Sequence, residues 1–179
     1  ATGTDALVRA APLGMIPQVD TAWVAKMSRQ VAVLTHGDWL TPTAYSLLIH
    51  HILQGKTFIT AVTDVLTWLG DHDDGAELAD RIRSGLSEAT TSPVTAQEVL
   101  PAAIRASADA LEEAVAPEQL LASAITKAVN FGGNTQATAL LAGQVMGGLL
   151  GNTATGTPSY LSNYIALEET VDRWVRFTT

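Results

Sequence analysis

Two glycines and a short polar run, Gly132-Gly133-Asn134-Thr135, directly precede a long apolar segment. Glycine permits close approach of a backbone, and the N–H groups at the start of a helix attract anions. The same pattern also fits a purely structural role, because asparagine is a favoured N-cap residue. The loop by itself therefore leaves two interpretations open, a phosphate-binding turn and a capped helix start.

A second polar group, Thr35-His36-Gly37-Asp38, stands where an amphipathic helix is expected to end. Polar side chains at such an end can lean over a pocket. The alternative is a plain helix stop, in which histidine complements the helix dipole and glycine supplies a positive φ. Local physics alone favours the helix stop.

Two further clusters carry ligand-type side chains without identifiable partners. Asp71-His72-Asp73-Asp74 could offer oxygen and nitrogen ligands to a metal, but we interpret it as a solvated loop near a helix N-terminus. His50-His51 lies in an apolar helix, where adjacent residues point in different directions and cannot chelate one ion. We expect one imidazole at the surface and the other packed with a hydrogen bond.

The composition excludes several classes of protein. The chain has 179 residues, of which 47% are hydrophobic and 16% charged, and this describes a folded domain. A net charge of −8 without a basic cluster argues against a nucleic-acid partner, and the absence of cysteine excludes thiolate chemistry. No apolar run reaches bilayer length and residues 1–5 do not resemble a signal peptide, so we expect a cytoplasmic protein with no membrane partner.

Helical spacing of apolar residues dominates the chain and predicts an all-α fold, with residues 1–179 forming a single domain. The first helix is expected after Pro17, with Asp20 or Thr21 as its cap. Its predicted buried face consists of Val24, Met27, Val31 and Leu34. Further helices are expected from Pro42 to Gly55, from Phe58 to Gly70, around Leu78 to Leu86, and from Pro117 to Gly132.

Three later segments carry more specific signals. Thr95 and Glu98 have the spacing of a capping box, and Pro101 is expected to limit the helix that they begin. Residues 135–150 are apolar nearly all round, with small residues at every fourth position, which predicts a central buried helix. A last amphipathic helix is expected to start at Pro158.

In their order along the chain, these motifs resemble those of ADP-ribosylglycohydrolases. Residues 3–14 are similar to the family's Gly-Asn-Gly-Ala-Leu-Met-Arg stretch with its following Ala-Pro-Leu, and residues 33–37 resemble its Leu-Thr-His turn. Residues 128–138 match the position and flanks of the family's Gly-Gly-Asp-Thr-Asp-Thr signature, and the match continues through 144–151 and 157–158. The resemblance covers essentially the whole chain and corresponds to the C-terminal half of the family.

The resemblance implies an orthogonal multi-helix domain that holds two Mg²⁺ or Mn²⁺ ions beside ADP-ribose and removes ADP-ribose from a modified acceptor. The family's C-terminal metal ligands, Asp, Asp and Thr, correspond here to Asn134, Gln136 and Ala137. Two carboxylates and a hydroxyl are thereby lost, so we expect no metal cofactor and assign no catalytic residue. The family's other ligands belong to an N-terminal part without a counterpart in this sequence.

The resemblance also implies a site for ADP-ribose or a related nucleotide. Thr4 replaces the family's asparagine, which lies near the ribose, and Asp5 replaces a glycine, so that a diphosphate would meet a like charge. The ligand-binding candidates lie in the substrate-loop motif, the Leu-Thr-His turn and the glycine turn: Gly3, Thr4, Asp5, Arg9, Thr35, His36, Gly132 and Gly133.

Three functions remain open from the sequence. The first is a degenerate, metal-free homologue that binds a ligand or a protein. The second is an active hydrolase whose missing metal ligands come from another chain or segment. The third is a non-catalytic structural subunit, either of a homo-oligomer or of a complex with a partner that covers the place of the N-terminal half, since exposed apolar surface tends to become an interface.

Overall fold

The computed structural model describes residues 3–88, 91–113, 115–155 and 165–178, and all regular secondary structure among them is α-helical. The predicted all-α fold is therefore confirmed. The helices in chain order are α1 (Asp5–Gly14), α2 (Thr21–Val33), α3 (Leu40–Leu53), α4 (Phe58–Gly70), α5 (Gly75–Ser87), α6 (Ala96–Leu111), α7 (Pro117–Asn130), α8 (Thr135–Thr155) and α9 (Ile165–Thr178).

Helix α3 lies at the centre of the fold. Its residues 40–52 are all buried, and helices α1, α2, α4, α6 and α8 pack around it. The Ser46 hydroxyl donates to the Ala10 carbonyl of α1 at 2.8 Å. Gly14 allows this close approach, because a Cβ there would lie 2.2 Å from the Ser46 carbonyl oxygen. The contact fixes α1, and therefore its N-terminal end, relative to the core.

The prediction that the helix starting at residue 135 is the central, fully buried one is wrong. Helix α8 packs one face on α1, α3, α6 and α7, whereas Leu140 on its other face is 41% exposed. Its many glycines and alanines give both faces a similar hydropathy, although only one of them faces the core. The backbone leaves helical geometry at Gly151, which has φ of 65°.

Helix α1 was not predicted from the sequence. This helix carries Pro12 within it, and a proline inside a helix removes a backbone hydrogen bond, which is why the segment did not read as helical. The next helix begins as predicted. The Asp20 carboxylate caps α2 by accepting a hydrogen bond from the Trp23 N–H at 2.7 Å.

Burial differs from the prediction at Leu34 and at one of the two histidines. Helix α2 ends at Val33, and Leu34 lies beyond it with 80% of its surface exposed instead of packed. His50 and His51 are both buried, with 3% and 5% exposed, although one was expected at the surface. The surrounding helices leave α3 no solvent-facing side at these positions.

Helix α6 begins with the predicted capping box, but Pro101 does not limit it. The Thr95 side chain caps the first turn, while the Glu98 carboxylate accepts from the Thr95 N–H at 3.0 Å. The helix then continues through Pro101 to Leu111. Helix α5 presents Gly85 to the proline ring, and a Cβ at Gly85 would lie 3.2 Å from the Pro101 Cβ.

Helix α9 is amphipathic over the described residues, with Val171 and Val175 about half exposed. The helix start predicted at Pro158 lies outside the described residues. Across the described helices, we find none that is both long enough and apolar enough to cross a membrane.

Candidate ligand-binding cleft

A cleft of about 660 Å³ opens where three helix ends meet. These are the N-terminal ends of α1 and α8 and the turn that follows α2. The volume falls within the ~300–1,000 Å³ that is usual for small-molecule sites. The cleft is lined by Thr4, Asp5, Val8, Arg9, Thr35, His36, Asn134, Gln136, Ala137 and Leu140. Three motifs that are far apart in the sequence thus form one site.

The two glycines of the turn before α8 allow its backbone to pass close to the backbone at Pro93. Gly132 and Gly133 have φ of 75° and 62°, and a Cβ on Gly133 would lie 2.3 Å from the Pro93 carbonyl oxygen. The Asn134 N–H donates to the same Pro93 oxygen at 2.7 Å. Neither glycine lines the cleft, and nor does Gly3. The glycines therefore hold the start of α8 in place, and Asn134 is the first residue of the turn that reaches the site.

Both ends of the Asn134 side-chain amide are engaged within the fold. Its Oδ1 accepts from the Ala137 N–H at 3.1 Å, which makes Asn134 the N-cap of α8. Its Nδ2 donates to the Thr4 hydroxyl at 3.1 Å. The amide therefore joins the first turn of α8 to the start of α1 across the floor of the cleft.

Gln136 and Ala137 are the other two residues that the sequence resemblance aligned with the family's metal motif. Gln136 is exposed at the cleft and can offer a neutral carbonyl oxygen. Ala137 is buried and offers only a methyl group. Ala137 thus contributes apolar packing instead of a hydroxyl oxygen for a metal.

A chain of polar contacts connects α1 with the turn after α2. The Arg9 guanidinium donates to the Thr35 hydroxyl at 2.9 Å and to the Asp5 carbonyl at 3.1 Å. The Thr35 hydroxyl lies 2.8 Å from His36 Nδ1. When this hydroxyl donates to Nδ1, the imidazole carries its proton on Nε2, which makes Nε2 a donor for a ligand. The Thr35-His36 pair is therefore more than a helix stop, because both side chains line the cleft.

The electrostatics of the cleft are mixed. The first turns of α1 and α8 both line it, and N-terminal helix ends carry partial positive charge. Thr4 does not cap α1 through its side chain, so the first N–H groups of α1 lack a side-chain acceptor. Arg9 adds a full positive charge, and Asp5 sets a carboxylate beside it in the first turn of α1. An anion in the cleft would therefore be attracted by the two helix ends and by Arg9, and repelled by Asp5.

The residues present do not fit a pair of divalent cations. Each Mg²⁺ ion is usually held by one or two carboxylates, and among the described residues Asp5 is the one carboxylate that lines the cleft. The Asn134 side-chain oxygen already accepts from the Ala137 N–H and carries no negative charge, so it does not replace a carboxylate. Within the described parts of the chain, no three His, Cys, Asp or Glu side chains are grouped so that they could hold a metal.

Two cleft residues were not predicted from the sequence, and two clusters of ligand-type side chains lie outside the cleft. Val8 and Leu140 line the cleft, and each is one helical turn from a predicted site residue. The signal for Val8 was available only once α1 was known to be helical. The Asp71–Asp74 loop and the His50-His51 pair do not reach the cleft.

The fold and the cleft define an all-α domain with a ligand-sized site built from helix ends. Residues 1–175 match the family model described as ADP-ribosylglycohydrolase. The chain therefore belongs to the ADP-ribosylglycohydrolase family, and the resemblance found in the sequence motifs is confirmed. Among curated proteins, no sequence matches the chain significantly.

Proposed function

We propose that this chain is a metal-free ADP-ribosylglycohydrolase homologue that binds ADP-ribose or a related nucleotide without hydrolysing it. The observation that carries the proposal is the engagement of Asn134. In the position of a metal-binding aspartate, this side chain caps α8 through one end and holds Thr4 through the other. A group with both ends bonded inside the protein is a structural tie, and the lone pair left on its neutral amide oxygen is a poor substitute for the charged oxygens of a carboxylate.

The neighbouring positions support the same proposal. Gln136 and Ala137 bring no charge to the place where two divalent ions would need it. Catalysis in this family is implied to depend on those ions. Without them, His36 is not free to act as a base through Nδ1, because that atom is bonded to the Thr35 hydroxyl.

The binding role rests on what the cleft retains. Arg9, Thr35 and His36 keep the residue types of the family motifs and stand together at one wall. The guanidinium, the imidazole Nε2 and the first turns of two helices supply donors for phosphate or ribose oxygens. The volume of about 660 Å³ is sufficient for a nucleotide-sized ligand.

Two titrations by calorimetry test the proposal, one with Mg²⁺ or Mn²⁺ alone and one with ADP-ribose in the presence and absence of EDTA. We expect no metal affinity in the micromolar range and the same ADP-ribose affinity with and without EDTA. Arg9→Gln should weaken ADP-ribose binding, whereas Arg83→Gln makes the same charge change on the exposed face of α5 and should not. Micromolar metal binding, or Mn²⁺-dependent release of ADP-ribose from a modified acceptor, would overturn the metal-free role.

A further inference from the structure

An aromatic cluster lies on a surface that shares no residue with the cleft. Trp39, Trp68 and His72 meet where α3 begins and α4 ends, and we call them the aromatic ridge. The Trp39 and Trp68 rings are edge-on with centroids 6.4 Å apart, and the Trp68 and His72 centroids are 4.3 Å apart. All three side chains are half-buried, so that each keeps part of its ring at the surface.

One side of the aromatic ridge is basic and apolar. Lys26 and Arg29 line a groove of about 410 Å³ together with the ridge, and the Arg29 guanidinium carbon lies 4.3 Å from the Trp39 ring centroid. Neither cation forms an ion pair with any described residue. Val33 in the same groove is 52% exposed, and Leu34 follows it in the chain. This side offers unpaired positive charge beside exposed apolar surface.

The other side of the aromatic ridge is acidic. Trp39 also lines a neighbouring groove whose carboxylates are Asp38, Asp73, Asp74 and Glu77. Asp38 is committed to the start of α3, where it accepts from the Thr41 N–H and hydroxyl. Asp73 and Asp74 are exposed and form no ion pair with described residues. The ridge therefore separates two unpaired cations from two unpaired carboxylates.

We propose that this surface binds a second copy of the chain about a two-fold axis that passes through the aromatic ridge. A surface with opposite charges on its two sides is complementary to its own image after a two-fold rotation. Lys26 and Arg29 of each copy then face Asp73 and Asp74 of the other, and the tryptophans meet at the centre. Tryptophan and arginine are the residue types enriched where binding energy concentrates in interfaces.

The mixed charge selects a second copy over other partners. An acidic peptide would be attracted by Lys26 and Arg29 but repelled by Asp73 and Asp74, and a basic one would meet the reverse. The net charge of −8 makes two copies repel each other in general, so a specific contact needs this local pairing. Salt should weaken the dimer, because the paired groups lie at the exposed rim.

Sedimentation velocity on charge-reversed variants tests the proposal. K26E/R29E and D73K/D74K should each raise the dimer Kd by about tenfold or more, since each places like charges in contact twice per dimer. An equimolar mixture of the two variants should form a heterodimer, because the reversed charges are complementary again. The combined four-site variant should regain the homodimer.

The control is R173E/R176E on α9, which changes the net charge by the same amount as K26E/R29E. Neither arginine lines either groove beside the aromatic ridge. This control should leave the dimer Kd within about twofold of the unmodified chain. Val33→Glu, at an exposed position in the groove, should weaken the dimer without unfolding the chain. The proposal is overturned if the unmodified chain stays monomeric at its highest soluble concentration. It is equally overturned if the mixture of the two variants forms no heterodimer.

Discussion

The Asn134 side-chain amide donates to the Thr4 hydroxyl at 3.1 Å, and the two residues are 130 positions apart in the chain. The bond joins the N-terminal turns of two helices, α8 and α1, at the floor of the cleft. Because the same amide also caps α8, one side chain fixes both the local start of a helix and the distance between two walls of the site. The cleft of this family member is thus held by a neutral hydrogen bond.

Replacing Asn134 should separate its two roles. Asn134→Ala removes the cap and the bond to Thr4, and should lower the free energy of unfolding by about 1–2 kcal/mol. Asn134→Ser keeps an acceptor for the Ala137 N–H but is too short to reach the Thr4 hydroxyl, so it should destabilise less. Urea denaturation measures both. If Asn134→Ser lost as much stability as Asn134→Ala, the capping bond would not be the dominant contribution.

Gly133 should not tolerate a side chain. Gly133→Ala places a Cβ 2.3 Å from the Pro93 carbonyl oxygen at a positive φ, and should lower the free energy of unfolding by at least about 2 kcal/mol. Gly147→Ala is the matched control, because it lies within α8 with open space around its Cβ position. Alanine favours a helix interior over glycine, so the control should gain up to about 1 kcal/mol. Thermal and urea unfolding measure the stability of both variants. An equal change in the free energy of unfolding for the two would contradict the prediction.

The helical class, most helix ends and the family could be predicted from the sequence because they depend on local signals. Asp20 as a cap, the capping box at Thr95 and the stop at Gly70 require only neighbouring residues, and the structure confirms them. The family motifs are likewise read in order along the chain, without knowledge of the packing. These features do not depend on how the helices pack together.

The remaining features depend on which helix surfaces pack against each other. The spacing of residues along the chain does not determine that packing. The burial of both His50 and His51 follows from the central position of α3, and the continuity of α6 through Pro101 goes with the glycine that α5 presents to it. The second role of Asn134 requires Thr4 to be its neighbour, which no local pattern reveals. The cleft residues Val8 and Leu140 were missed for the same reason.

Asp5 should weaken the binding of a diphosphate. Its carboxylate lines the cleft, so Asp5→Asn should raise the affinity for ADP-ribose by about threefold to tenfold through loss of like-charge repulsion. The affinity for adenosine, which has no phosphate, should stay unchanged. Asp80→Asn removes one negative charge from the exposed face of α5 and serves as the control. A similar gain for adenosine, or for Asp80→Asn, would show that local repulsion is not the cause.

The buried histidines should make the fold sensitive to mild acid. Burial lowers the pKa of His50 and of His51 below the ordinary 6.5, and the Lys56 ammonium lowers both further. In the unfolded chain both groups regain the ordinary value, so below about pH 6.5 the unfolded state binds more protons than the folded state. The free energy of unfolding should therefore be highest above that pH and fall as the pH drops toward about 5. The carboxylates whose pKa is lowered, such as Asp64 and Glu98, act below this window, because their ordinary values are 3.8 and 4.5.

His51→Asn tests the origin of this acid sensitivity. Its Oδ1 can replace His51 Nδ1 as the partner of the Lys56 ammonium, which now lies 3.1 Å away, while the titrating ring is removed. The variant should lose less stability than the unmodified chain between about pH 7 and about pH 5, as measured by urea denaturation at several pH values. The Lys56–Asp64 ion pair at 2.6 Å is left in place. A change in the slope of the free energy of unfolding against pH can therefore be assigned to the imidazole. An unchanged slope would mean that His51 is not protonated on unfolding in this pH range. The burial of His51 would then not be a cause of the acid sensitivity.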